Sequence, residues 1–228
     1  MAAGEGRRMR PLTERWAKSV LPVDGRPVIG VLLHAVAEAG IERVTVVTGH
    51  LAEQVEALVG DGSAFGVAVS CVRQPEPLGS ADAVLRAVQA GARPPLLVAA
   101  ADTVFAAGDL RRFVGAAAEA SGAVAARRDP PPNPPHRRPV RIVGGRVERV
   151  LDDDPDNPLA GAPLWVVGPE VAAFLDPLPG SAPFELATVF QLAIDSGAAV
   201  AGIEIGSTRD LTVPLDLVRE NFPYLEAL

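Results

Sequence analysis

The sequence predicts an α/β protein built on a doubly wound, mostly parallel sheet. Three observations carry this. Val44-Thr45-Val46-Val47-Thr48 and Leu96-Leu97-Val98-Ala99-Ala100 are nearly continuous apolar runs, as in strands covered on both faces. Between such runs lie stretches of helical period that stop at glycine. From residue 32 to residue 127 the two alternate, which is the order of βαβ units.

Element by element, Leu32 to Ala39 has a helical pattern and stops at Gly40. Val44 to Thr48 is a buried strand, and Ala52 to Val59 a helix ended by Gly60-Asp61-Gly62. Val67 to Val72 alternates as a strand and places Cys71 among core residues. Ser80 to Gly91 is a helix with Ser80 as its expected N-cap. The strand at 96–100 ends at Asp102; Asp109 to Ala120 is a helix and Ala123 to Arg127 a strand. Arg128 to Pro139 carries six prolines, which forbid helix and central strand, so an exposed loop is expected. Val140 to Val143, a Gly144-Gly145 turn and Val147 to Leu151 read as a β-hairpin. A strand at 164–167, a helix at 184–196, a strand at 200–205 and a helix from Pro214 to Phe222 follow. The expected organisation is one domain, residues 1–228, with halves at 1–127 and 140–228 joined by the proline-rich loop.

Composition excludes several classes. A net charge of −7 gives no electrostatic case for nucleic acid or an anionic membrane. One cysteine rules out an internal disulfide framework, and three scattered histidines show no metal spacing. There is no long uncharged apolar stretch and no signal-peptide pattern at the N-terminus, so a cytoplasmic protein is expected. Within this acidic chain Arg7, Arg8, Arg10, Arg15 and Lys18 form a basic island, suited to a small anionic ligand.

Of the 21 basic residues only Lys18 is lysine. Arginine therefore serves wherever charge alone suffices, and position 18 is a place where a compact three-donor ammonium matters. Lys18 follows a Gly4-Glu5-Gly6 turn at short distance, which is phosphate-binding chemistry. Such a turn ordinarily follows a strand that aims its N–H groups. Here Met1 stands where the last strand residue belongs. The expectation is that the first sheet strand is missing, through either a misassigned start or a true lack of that strand.

Ala2-Ala3-Gly4-Glu5-Gly6-Arg7-Arg8-Met9-Arg10-Pro11-Leu12-Thr13, with Lys18 and Leu21-Pro22-Val23-Asp24-Gly25-Arg26-Pro27, closely resembles the signature of sugar-1-phosphate nucleotidylyltransferases, L-A-A-G-x-G-T-R-L-x-P-L-T followed by P-K and P-V-x-G-K-P. Gln74-Pro75-Glu76-Pro77-Leu78-Gly79-Ser80 looks like the family's nucleobase loop, and Asp210-Leu211-Thr212-Val213-Pro214-Leu215-Asp216-Leu217 like its D-x-x-T-P-E-D-L. The resemblance implies a Rossmann-like nucleotidyltransferase fold with a small β-hairpin and αβ subregion on the acceptor side. It implies nucleotide binding by Ala3, Gly4, Gly6, Gln74, Gly79 and Ser80, with Arg8 and Lys18 as catalytic groups. Asp102 and Asp210 would hold Mg²⁺; a rival registration puts Glu204 in place of Asp210. Glu185 would meet the acceptor.

The chemistry agrees with the resemblance. Joining a nucleoside triphosphate to a phosphorylated sugar or polyol brings two polyanions together, so the site needs N–H groups, cations and a metal but little proton transfer. Gln74 suits the imide edge of uracil or thymine, and Gly79 leaves room for a base, which favours UTP or dTTP. Asp153-Asp154-Pro155 stands where the family often has Glu-Lys-Pro, and a carboxylate there repels a phosphate. Two further readings therefore stand beside transfer to a sugar 1-phosphate: a silent sugar-nucleotide-binding homologue, and a cytidylyltransferase for a non-sugar phosphate. Whether the protein forms a homo-oligomer is left open.

Overall fold

The structure is a computed structural model and describes residues 1–128, 139–154 and 156–222. Most of the proline-rich loop expected at 128–139 lies outside the described residues. In chain order the elements are β1 (Pro22–Val23), β2 (Arg26–Pro27), α1 (Val28–Glu38), β3 (Arg43–Thr48), α2 (Ala52–Val59), β4 (Ala68–Arg73), α3 (Ser80–Gln89), β5 (Leu96–Ala99), β6 (Thr103–Val104), α4 (Asp109–Ala116), β7 (Gly122–Arg128), β8 (Arg141–Val143), β9 (Arg146–Arg149), β10 (Leu159–Val167), α5 (Pro169–Ala172), α6 (Leu186–Asp195), β11 (Val200–Ile205), β12 (Arg209–Asp210) and α7 (Pro214–Asn221). This is the α/β, Rossmann-like class expected.

The chain forms two compact units: Met1–Pro77, Ala100–Gly108 and Thr208–Leu228 make the first, and Leu78–Ala99 with Asp109–Ser207 the second. The halves drawn at residues 127 and 140 do not follow this division. The chain leaves the first unit at Pro77, returns to it for nine residues from Ala100, and comes back at Thr208. Segments far apart in the sequence, such as β6 and β12, are thereby brought together.

In the first unit β3 and β4 pair in parallel, Arg43 opposite Ala68 through Thr48 opposite Arg73. Ala2 bridges Thr48 in parallel, with its N–H on the Val47 carbonyl at 2.7 Å, and Met1 accepts from the Ala101 N–H at 2.9 Å. α1 starts at Val28, earlier than expected, because Val28 and Ile29 are already buried along with Leu32, Leu33 and Val36. α2 buries Ala52, Val55 and Val59 and packs on β3 and β4. Met9, Leu21, Val23, Val28 and Leu211 form a core cluster, with Leu12, Val104 and Leu217 against it. β1 and β2 make a small hairpin turned by Asp24 and Gly25, both at positive φ. Asp-Gly is the dipeptide such a turn favours. One expectation fails here. Cys71 is exposed and not in the core.

In the second unit six strands pair in the order β5-β10-β7-β11-β9-β8. β7 and β11 run parallel, while β10 runs antiparallel to both β5 and β7. β10 is longer than the strand expected at 164–167. Its register shifts between Gly161 and Trp165, so Gly161 and Pro163, which look like strand breakers, sit at an irregularity. β7 is buried from Gly122 to Ala126. A Cβ on Gly122 would come within 2.8 Å of Val171 and 3.0 Å of the Val166 carbonyl, so close packing explains the small residues there. The β8–β9 hairpin turns at Gly144 and Gly145, both at positive φ, as the sequence indicates.

Candidate functional site

The segment after Ala3 contains no strand and only short 3-10 turns, at Arg7–Met9, Leu12–Glu14 and Lys18–Val20. Its shape comes from a few contacts. Gly6 has φ 60°, and a Cβ there would lie 2.8 Å from Thr13 Cγ2, so only glycine fits. Thr13 Oγ1 donates to the Gly6 carbonyl at 2.9 Å and closes the loop on itself. Gly4 is exposed, and a Cβ there would meet nothing within 4 Å. Among the described residues nothing occupies the place where a side chain at position 4 would stand.

Gly4, Gly6, Arg7, Arg8, Lys18, Asp102 and Thr212 line a cavity of about 250 Å³. That is below the roughly 300 Å³ at which pockets for whole small molecules begin, and suits one charged portion of a larger ligand. The Lys18 ammonium is bonded to Asp102 Oδ2, and both side chains are largely shielded, at 16% and 28% exposure. Asp102 Oδ1 accepts from Thr103 Oγ1 at 3.3 Å. Arg7 is exposed and bonds Glu5 at 2.6 Å, which holds the Glu5 carboxyl below its ordinary pKa. Arg8 is exposed at the cavity wall.

Asp210 lies on β12, opposite Thr103 of β6, and Asp102 is the residue that directly precedes that strand. Asp210 Oδ2 accepts from Thr208 Oγ1 at 3.1 Å. Capping of α7 falls to another residue: Asp216 Oδ2 accepts from the N–H groups of Thr212 and Val213, each at 2.8 Å. Glu204, the rival, is on β11 of the second unit, bonded to Arg128 at 3.0 Å and exposed. Among the described residues no cluster of three or more His, Cys, Asp or Glu could hold a metal. Two carboxylates still fit Mg²⁺, which commonly takes one or two of them and completes its shell with water and substrate phosphates.

The remaining candidates are placed as follows. Ala3 is buried; a Cβ on Gly49 would sit 2.6 Å from its carbonyl, so Gly49 permits the approach. Gln74 is buried at the end of β4, its N–H on the Thr48 carbonyl at 2.7 Å. Gly79, Ser80 and Glu185 belong to the second unit. Gly79, not Ser80, caps α3, so the expected N-cap is one residue off. Ser80 instead serves α6: its Oγ accepts from Leu186 N–H at 2.8 Å and donates to Glu185 Oε2 at 2.7 Å. A Cβ on Gly79, at φ 108°, would collide with the Phe184 backbone. Packing alone therefore requires this glycine, and its presence is no longer an argument for a bound base.

Sequence reasoning missed the supports of the lysine loop. His50 Nε2 lies 2.7 Å from the Thr13 carbonyl, and since a carbonyl only accepts, Nε2 carries the proton. Gln54 bonds the backbone at Arg15 and Ala17. Arg209 ties β12 to Asp24, at 2.6 and 2.9 Å, and to Glu220 of α7. A single polar residue on a helix face carries no sequence signal of such a partner.

Comparison with known proteins gives a consistent picture. The family model described as nucleotidyl transferase matches residues 1–137. A glucose-1-phosphate thymidylyltransferase of Streptomyces griseus is 46% identical over 85 residues, covering 37% of this chain and 24% of that protein. An N-acetylmuramate alpha-1-phosphate uridylyltransferase of Neisseria meningitidis serogroup B is 39% identical over 102 residues, 43% of each chain. The match thus spans less than half the length of either curated relative. The structure of the inositol-1-phosphate CTP transferase from T. maritima superimposes with a TM-score of 0.80 at 18% identity, covering 99% of this chain and 91% of that one. At that identity the likeness speaks for the fold.

Proposed function

Because this chain belongs to the nucleotidyl transferase family, we propose that it transfers a nucleotidyl group from a pyrimidine nucleoside triphosphate to a sugar 1-phosphate, releasing pyrophosphate. One observation carries the reading. The chain's single lysine lines a cavity with Gly4, Gly6, Arg8 and Asp102 and bonds the carboxylate there.

In this reading the backbone at Gly4 and Gly6 meets the triphosphate, and Arg8 draws off charge on the departing pyrophosphate. Lys18 leaves Asp102 for the incoming phosphates, and its ammonium orients the acceptor oxygen in line with the bond that breaks. Asp102 and Asp210 would hold Mg²⁺, which when bound neutralises charge building on the phosphates. No side chain need remove a proton, because the attacking phosphate is already an anion. Ser80 fixes the Glu185 carboxylate, which accepts hydrogen bonds from acceptor hydroxyls. Gln74 meets the base edge. UTP and dTTP are the favoured donors, in keeping with the uridylyl and thymidylyl activities named for the two curated relatives. The cytoplasm, where thiols such as Cys71 stay reduced, is the compartment.

Pyrophosphate release measured with Mg²⁺ over UTP, dTTP, CTP, ATP and GTP, against several sugar 1-phosphates and polyol phosphates, tests the proposal. A pyrimidine triphosphate with a sugar 1-phosphate is the expected pair. Turnover only with CTP and a non-sugar phosphate would transfer the proposal to that class, as Asp154 at the family's lysine position would favour. Binding without release would make the chain a silent homologue.

A further inference from the structure

We infer that Gln54 is a positioning residue for Lys18: its side-chain amide grips the backbone on both sides of Trp16 and so sets where the lysine emerges. The inference rests on the reading of Lys18 as the group that meets phosphate.

Lys18 opens a 3-10 turn that begins where Arg15, Trp16 and Ala17 have no helix or strand to hold them. Arg15 and Trp16 donate back to Leu12, at 3.2 and 3.1 Å. Two further backbone groups, the Arg15 carbonyl and the Ala17 N–H, go to one side chain. Gln54 Nε2 donates to the Arg15 carbonyl at 2.7 Å, and Gln54 Oε1 accepts from the Ala17 N–H at 2.8 Å. A planar amide offers one donor edge and one acceptor edge at fixed spacing, which neither a carboxylate nor an ammonium can do. Ala17, directly before the lysine, is only 2% exposed.

The grip comes from a firm base. Gln54 sits in the first turn of α2, whose Ala52, Val55 and Val59 are buried, and α2 packs on β3, β4 and the turn Lys18–Val20. Two neighbours act alike. Gly49 lets the Ala3 carbonyl approach, and His50 bonds the Thr13 carbonyl. The segment leaving β3 thus meets the phosphate loop at Ala3, at Thr13 and around Trp16. Only the last contact lies next to Lys18. Lysine has a flexible four-carbon stem, so its ammonium depends on where the backbone starts it. A misplacement of about 1 Å in a reacting group costs on the order of 10²-fold in rate.

The test compares Gln54→Ala, Gln54→Glu, Lys18→Ala and the Gln54→Ala/Lys18→Ala double variant. Gln54→Ala is expected to lower kcat by about tenfold with the triphosphate KM within about twofold, and the double variant to be no slower than Lys18→Ala alone. Gln54→Glu, which keeps the acceptor toward Ala17 and loses the donor toward Arg15, should fall between. A second readout needs no substrate. Labelling with ¹³C,¹⁵N-lysine gives one residue's signals, and those should shift in Gln54→Ala. Gln191→Ala removes a comparable amide bridge, to Val150 and Glu148 of the second unit, and should leave them in place. Lysine signals of Gln54→Ala that coincide with wild type, or effects of the two substitutions that simply multiply, would overturn the inference. If no triphosphate is turned over by wild type, the functional reading falls, while the lysine signals still decide the role of Gln54.

Discussion

Lys18→Arg isolates the shape of the charge from the charge itself. In the structure the lysine stem runs against the glycine turn: a Cβ on Gly6 would lie 3.4 Å from Lys18 Cβ. Its ammonium sits on Asp102 with 16% of the side chain exposed, in a cavity of about 250 Å³. A guanidinium there carries the same charge but is broad and planar. It would take both Asp102 oxygens in a fork, so that the carboxylate is released less readily to a metal and the cation less readily to a phosphate. The fold should survive, because the ion pair is kept, and the melting temperature should stay within about 2 °C, less than about 1 kcal/mol for this size. Turnover should fall at least about tenfold, equivalent to about 1.4 kcal/mol of transition-state stabilisation. Steady-state pyrophosphate release checks this. Near-wild-type kinetics would refute the idea that a compact ammonium is needed.

Asp102→Asn and Asp210→Asn should each abolish Mg²⁺-dependent turnover, with Glu204→Gln close to wild type; Mg²⁺ titrations of rate separate these, and an inactive Glu204→Gln beside an active Asp210→Asn would show that Glu204 is the ligand. Gly79→Ala places a Cβ at φ 108° against the Phe184 backbone. It should cost at least about 1–2 kcal/mol, read as a fall in melting temperature of about 2–4 °C per kcal/mol. Burial raises the pKa of Asp152, but hydrogen bonds from Asn157 and Arg141 outweigh it and hold the carboxyl below its ordinary value. A depressed folded-state pKa means stability present above the unfolded value and lost as pH falls through the folded one. Thermal melts of wild type should therefore fall below about pH 4, and Asp152→Asn should flatten that fall while costing on the order of 1–3 kcal/mol at neutral pH.

Much of the fold was legible because its signals are local. Ala52–Val59 and Val200–Ile205 have the bounds that periodicity and glycine stops indicate. β10 was read short because Gly161 and Pro163 look like breakers when the flanking strands that tolerate a bulge cannot be seen. Cys71 is exposed although Val67 and Val69, which alternate with it, are buried and half-buried: alternation says which residues share a face, not how far along the strand that face stays covered. β6 and β12 are two residues each and exist only because the fold pairs them. In the site, Gly4, Gly6, Arg8, Lys18 and Asp102 carried sequence signals through motif spacing and the lone lysine. Gly79 did as well, though its backbone conflict with Phe184 was invisible. Ser80 serves a helix more than 100 residues away, and Gln54 bonds a loop 37 residues back; neither partner can be read from a single sequence.

The most direct test of the central claim is a ³¹P NMR time course with UTP or dTTP, Mg²⁺ and a sugar 1-phosphate. Transfer of the nucleotidyl group predicts equal growth of pyrophosphate and of a paired diphosphate-ester signal, as the sugar 1-phosphate resonance disappears, with Lys18→Ala silent. Release of orthophosphate with an unchanged sugar 1-phosphate, or a Lys18→Ala variant as fast as wild type, would contradict it.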